Sequence, residues 1–167
     1  MNIKIKKQSL IYDISNLAFV IADSGNPASH ALHRLRDICQ EGNIDRVARI
    51  LGLAYTIVLD AISSVLIKTP FGLNRDFSSS VKDYIFNFSK DPSVKDILTG
   101  EFILHLKENI REFMICMVLA DWLAVTYPEF SELWRKKADA TLERIRGIAG
   151  EVSSSSSKTF SRKISPF

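Results

Sequence analysis

The sequence predicts a mainly α-helical protein, a bundle of four or five helices with a minor β element near residues 82–88. Three observations carry that expectation. Apolar residues recur every third or fourth position through several long stretches. Glycine and proline cluster between those stretches. In one short segment, VKDYIFNF, Tyr84, Phe86 and Phe88 instead alternate with Asp83, Ile85 and Asn87, which is the period of a strand. A chain of 167 residues suits one domain with a single core.

The elements follow in order. NIKIK, residues 2–6, alternates polar and apolar residues as a short edge strand would. Ser9 is placed to cap a first helix, in which Leu10, Ile14, Leu17, Ala18 and Ile21 share a face through Asp23. Gly25 and Pro27 end it. A second helix is expected from Asn26 and Pro27 through ASHALHRLRDICQ to Gly42. Asn43 then caps a third, with a seam of Ile44, Val47, Leu51, Ala54, Val58, Ala61 and Val65. Residues 68–80, KTPFGLNRDFSSS, read as a loop. The aromatic strand follows, ended by Pro92, and must pair with NIKIK, with the preceding loop or with another chain.

A long helix is expected from about Ser93 to Val125, with a stripe of Phe102, Leu106, Ile110, Phe113, Met117, Ala120 and Ala124. Its second half, FMICMVLA, is apolar on every side, so it should finish in the core. TYPE, from Thr126 to Glu129, has the form of a capping box with Pro128 in the first turn. The last helix should bury Phe130, Leu133, Trp134, Ala138, Leu142, Ile145 and Ala149, and close at Gly147 and Gly150. The bundle domain is thus expected over residues 1–150. Residues 151–167, EVSSSSSKTFSRKISPF, form a serine-rich basic tail, flexible or held by a partner.

Composition narrows the function classes. Net charge is only +3, too small to argue for nucleic acid by itself. Basic residues exceed acidic ones toward both ends, and the middle is mildly acidic. Two cysteines, Cys39 and Cys116, are too few for a disulfide scaffold and fit a reducing compartment. The most membrane-like stretch, residues 50–67, contains Asp60 and continues a helical stripe, so it reads as a core helix.

Candidate chemistry is sparse. His30, His33 and Asp37 could share a helical face, but the rest of a zinc ligand set is missing from the neighbourhood. Glu101, His105, Glu108 and Glu112 share another face. A carboxylate-bridged metal bundle needs Glu-x-x-His on two helices, and only the reversed HLKE occurs. The sequence lacks a phosphate loop, a dinucleotide fingerprint and a nucleophile elbow. Cys116 lies among apolar neighbours and should be inert. Asp121, beside Trp122, needs a structural partner. Arg34, Arg36, Arg46 and Arg49, interleaved with Asp37, Glu41 and Asp45, read as a salt-bridged surface rather than a nucleic-acid track. The expectation is a non-enzymatic protein with no cofactor and no metal.

The stretch EFMICMVLADWLAVTYPEFSELWRKKADATLERIRGIAG resembles the end of the small helical head–tail connector and head-completion proteins of tailed bacteriophages. There, a buried helix, a short turn and a second helix with aromatic, charged and leucine residues precede a glycine. NIDRVARILGLAYTIVLDAISSVL is similar to their long earlier helix. The opening KIK and SLIYDI, and the basic tail closing on SPF, resemble proteins of prophages and mobile elements. The chain departs from the short connectors by its N-terminal helical segment and by the strand at 82–88.

The resemblance implies a homo-oligomeric ring around a DNA channel, meeting DNA only non-specifically, with portal or other virion proteins as partners. It implies residence in the cytoplasm or in a virion, without a membrane. The expected partner-binding residues are Tyr84, Phe86 and Phe88 of the strand, and Phe160, Arg162, Lys163, Pro166 and Phe167 of the tail. The alternative is a small cytosolic helical adaptor or regulatory protein that binds a protein partner.

Overall fold

A computed structural model describes residues 2–24, 35–66, 82–88 and 100–160. The described elements are β1 (Asn2–Lys6), α1 (Lys7–Ser24), α2 (Ile44–Ala61), β2 (Asp83–Asn87), α3 (Gly100–Thr126) and α4 (Pro128–Phe160). The protein is mainly helical with a two-stranded antiparallel sheet, as the periodicities predict. Most of the helix expected over residues 26–40, and the loop at 68–80, lie outside the described residues.

Helix α3 is the centre. Phe113, Met114, Ile115, Cys116, Val118, Leu119 and Ala120 are all buried, along with Leu106, Ile110 and Leu123. These residues point to most sides of the helix, so between Phe113 and Leu123 only Met117 and Asp121 keep partial access to water. Helices α1, α2 and α4 all pack against it, and β1 touches it too. Each neighbour contributes one stripe. Leu10, Ile14, Ala18 and Ala22 repeat every fourth residue along α1; Val47, Leu51, Ala54 and Val58 step by three or four along α2.

The sheet resolves the pairing question. β1 pairs with β2 in antiparallel register, Ile3 opposite Phe86 and Ile5 opposite Tyr84. Because side chains alternate, all four of these face the core, while Lys4 and Ile85 face outward. Lys4 Nζ bridges to Asp83 Oδ2 at 2.9 Å on the outer face. The Tyr55 hydroxyl of α2 donates to the Ile85 carbonyl at 2.7 Å, and its ring meets those of Tyr84 and Phe86 at 5.3 and 5.0 Å. The sheet is therefore bound to α2 by both polar and aromatic contacts.

Several element ends differ from expectation. Helix α1 begins at Lys7, not after Ser9, because β1 runs directly into it and the Lys7 amide donates to the Lys82 carbonyl at 3.0 Å. Asn43 does stand at the start of α2, but its side chain makes no cap bond. It donates instead to the Asp37 carbonyl at 2.8 Å, tying the preceding turn. Helix α3 runs through Thr126, so the TYPE segment is not a capping box around Thr126. Tyr127 alone separates the two helices. Its carbonyl accepts from the Phe130 and Ser131 amides at 3.1 and 3.2 Å, and Pro128, which has no amide hydrogen to orphan, opens α4.

Helix α4 shows two larger differences. Phe130 and Leu133 were expected inside, yet they are 44% and 62% exposed. The reason is phase. Ala138, Leu142, Ile145 and Ala149 set the buried face, and Leu133 lies five residues before Ala138, off that face. Ser131, seven before Ala138, takes the inward position, and its hydroxyl donates to the Ala120 carbonyl at 2.8 Å. The helix also continues past Gly147 and Gly150. Val152, expected in the tail, is fully buried, and the helical backbone extends to Phe160. A helical glycine costs only about 1 kcal/mol relative to alanine, and the burial of Ile145, Ala149 and Val152 outweighs that.

A Cβ added at Gly150 meets nothing within 4 Å. Gly150→Ala should therefore stabilise the protein by roughly 0.5–1 kcal/mol in denaturant unfolding. A loss of stability would instead mark Gly150 as a helix-ending residue in left-handed conformation.

Candidate functional site

An open crevice of about 300 Å³ lies between α1 and α3. Asp13, Asn16 and Leu17 line it from α1, and Glu108, Arg111, Glu112 and Ile115 line it from α3. The 3.6-residue repeat brings these polar groups to the seam. Leu10, Ile14 and Ala18 turn inward, so Asp13 and Asn16 fall at the margin of the same face.

Arg111 organises the crevice. Its Nε donates to Asp13 Oδ2 at 2.7 Å, its Nη2 reaches the same oxygen, and Nη2 also donates to Ser9 Oγ at 3.1 Å. Ser9, expected as a helix cap, thus serves a tertiary contact. Glu112 bridges to Lys137 of α4 at 2.5 Å. That hydrogen bond raises the Lys137 pKa above the ordinary lysine value. The Cys116 thiol sits one turn beyond and contacts Glu112 Oε1 at 3.9 Å. Burial, reinforced by the Glu112 charge, pushes that thiol up to about 12. Arg111 and Glu112 are each held by an opposite charge, and the thiol stays protonated. The geometry suits docking better than proton transfer.

A second polar cluster links α2 to α3. Arg46 Nε and Nη2 donate to Asp121 Oδ2 at 3.1 and 2.7 Å, and Nη2 donates to the Asp121 carbonyl at 3.0 Å. The guanidinium also lies 5.0 Å from the Trp122 ring centre. This is the structural partner that an acid in that apolar stretch requires. Arg36 bridges to Asp23 at 3.3 Å and lies 5.0 Å from the Phe19 ring centre. These arginines belong to a salt-bridged surface.

The two histidine-bearing stretches of the sequence stand differently. His30 and His33 lie outside the described residues. Among the described residues, no group of three His, Cys, Asp or Glu side chains could hold a metal ion. His105 Nε2 lies 3.3 Å from Asn109 Nδ2, and Glu112 is taken by Lys137. None of the described helices is long and apolar enough to cross a membrane.

The expected contact residues require a correction. Tyr84, Phe86 and Phe88 are 4%, 0% and 0% exposed, so the strand spends its aromatic side chains on the core and presents none of them to a partner. Their alternation was legible as a strand, but periodicity alone does not say which face is covered. Phe160 is the last residue of α4. Arg162, Lys163, Pro166 and Phe167 lie outside the described residues.

Large apolar side chains stand exposed elsewhere. Val125, Phe130 and Leu133 cluster about the α3–α4 corner, where the Tyr127 and Phe130 rings meet at 5.0 Å. Tyr12, Phe19 and Val20 are exposed on α1. The signal for Leu133 was its offset from Ala138. For Tyr12 and Phe19 it was a seven-residue spacing off the Leu10–Ile14–Ala18 stripe.

Comparison with known proteins returns no matching family model, no matching curated protein and no matching solved structure.

Cys116 should resist alkylation at pH 8 in the folded protein and react only on unfolding, because with a pKa of about 12 its thiolate fraction there is on the order of 10⁻⁴. Burial also pushes Cys39 up to about 11. Both thiols hold their protons more tightly folded than unfolded. Their contribution to stability should therefore be fully present below about pH 8.5 and lost as pH rises toward 11 and 12, as read by chemical denaturation above neutral pH. A double-mutant cycle on Arg46→Ala and Asp121→Ala should give a coupling energy of about 1–2 kcal/mol, since both groups are partly exposed. A coupling near zero would mean that α2 is not held by this pair.

Proposed function

We propose that this chain is a non-enzymatic assembly subunit of the phage or prophage head–tail connector kind, acting as one brick of a homo-oligomeric ring. The observation that carries the reading is the α3–α4 hairpin. A helix whose second half is buried almost all round passes through a one-residue turn into a long helix that buries one face and leaves the other in solvent. This is the arrangement on which the resemblance to connectors rests.

Two further features support it. The polar clusters hold helices together, with their charges paired across element boundaries. Large apolar side chains are nevertheless left in solvent at Val125, Phe130 and Leu133, and again at Tyr12, Phe19 and Val20, which is where a subunit would meet neighbours. The contact role first assigned to the strand passes to these residues. The tail from Phe160 onward, with Arg162, Lys163, Pro166 and Phe167, remains the second contact. DNA would be met only non-specifically, in the channel of the ring. Portal or other virion proteins are the partners of this reading, and a virion or the cytoplasm its location.

The α1–α3 crevice favours the second reading, a helical adaptor that receives a peptide segment from a partner protein. Sedimentation separates the two. The connector reading expects a ring of several subunits that grows with concentration. It also expects that deleting residues 161–167 leaves the helical circular dichroism unchanged while weakening assembly. A monomer at all concentrations that binds no portal protein would overturn it and leave the adaptor.

A further inference from the structure

Strand β1 keeps one edge open. In an antiparallel pair, alternate residues turn both backbone groups toward the partner strand, and the residues between turn theirs away. Two bonds fix which are which. The Lys7 amide donates to the Lys82 carbonyl at 3.0 Å, in step with the Ile5–Tyr84 and Ile3–Phe86 pairs. The Ile85 carbonyl accepts instead from the Tyr55 hydroxyl at 2.7 Å, so Ile85, opposite Lys4, turns its backbone away from β1. Ile3 and Ile5 therefore bond to β2. The Lys4 amide and carbonyl, the Asn2 carbonyl and the Lys6 amide point the other way. The far edge of β2 is met by Tyr55 and by a bridge between Leu66 and Phe88. Among the described residues, no backbone group pairs with the outward groups of β1.

We infer that this edge takes up an extended segment of a partner protein as a third strand, one in which acidic and apolar residues alternate. The open edge supplies the backbone bonds, and the two faces of the sheet set the sequence it accepts. Ile3 and Ile5 face the core at 1% and 3% exposure, so the added strand turns apolar side chains inward beside them. Lys4 and Lys6 stand exposed on the outer face, so the side chains opposite them are best acidic. Asp83 is the single acid of the two strands. It bridges to Lys4 at 2.9 Å and stands opposite Lys6, so one carboxylate serves two lysines from the β2 side. The other outward residues, Asn2, Ile85 and Asn87, carry no charge.

The same lysines argue against a second copy of the chain as the occupant. Antiparallel pairing of β1 with its own copy about Lys4 sets Lys4 against Lys4, like charges directly opposite. Lysine on an open edge keeps copies apart in this way. An acidic strand turns that repulsion into attraction. The added strand is short, so its binding should be reversible and weakened by salt. The inference does not rest on the connector reading. A chain that forms rings while its β1 edge ignores the peptide below would keep that reading and remove this one.

The test is amide exchange of the full chain by nuclear magnetic resonance, with and without a short blocked peptide of alternating valine and glutamate. The Lys4 and Lys6 amides should exchange readily in the free chain and slow by about tenfold or more under saturating peptide, while the Ile5 amide, already bonded to β2, stays as it was. The same peptide methylated on its glutamate amide nitrogens should lose binding, because its charge remains and its backbone bonds do not. A peptide with lysine in place of glutamate should bind roughly tenfold more weakly or worse. Lys4→Glu should weaken the acidic peptide likewise, with circular dichroism confirming equal folding. The inference is overturned if the valine–glutamate peptide leaves the Lys4 amide unchanged, or if the methylated peptide binds as well. It is overturned equally if the lysine peptide binds as tightly as the acidic one. A dimer of the free chain that Lys4→Pro dissolves would place a second copy on the edge and also overturn it.

Discussion

The burial of α3 almost all round is the constraint from which the remaining structure follows. A helix with Phe113, Met114, Ile115, Cys116, Val118 and Leu119 all shielded needs neighbours around most of its circumference. Fully burying such side chains is worth roughly 1.5–3 kcal/mol each, and a gap on any side forfeits part of that. Helices α1, α2 and α4 supply the walls. Each wall can be amphipathic because α3 is not. The one-residue turn at Tyr127 sets α4 directly alongside, and the β1–α1 junction at Lys7 delivers α1 from the sheet.

The polar contacts are arranged around this core as fasteners. Arg111–Asp13 ties α3 to α1, Glu112–Lys137 ties it to α4, and Arg46–Asp121 ties it to α2. Each bond joins the central helix to a different wall, so the pairs fix which wall stands where rather than supplying most of the stability. The same economy explains the sheet. Its aromatic side chains close the core against Tyr55 and leave Lys4, Asp83 and Ile85 as the outer face.

Much of this was legible in the residues. The all-apolar run FMICMVLA announced the central helix, the alternation of Tyr84, Phe86 and Phe88 announced a strand, and the apolar company of Asp121 announced a partner. What stayed hidden was tertiary. Alternation does not say that a two-stranded sheet lies on a helix, so Phe86 was read as a contact rather than as core. Glycine punctuation at Gly147 and Gly150 was outweighed by the burial of Val152, a long-range effect beyond any local propensity. An aromatic and a leucine near a helix start are ordinarily core residues, yet Phe130 and Leu133 lie off the buried face of α4. Here the inward position belongs to Ser131. The functional reading is less legible than the fold because it rests on surfaces, and surfaces carry little periodic signal.

Hydrogen exchange of backbone amides tests the central claim most directly. If α3 is the buried spine and β2 is bound into the same core, the amides of residues 113–123 and those of Tyr84 and Phe86 that bond within the sheet should exchange only through global unfolding, with one common protection free energy. If β2 exchanges orders of magnitude faster than α3, the strand is a detachable edge rather than part of the core. If residues 113–123 themselves exchange by local opening, the arrangement of the other helices around α3 does not hold.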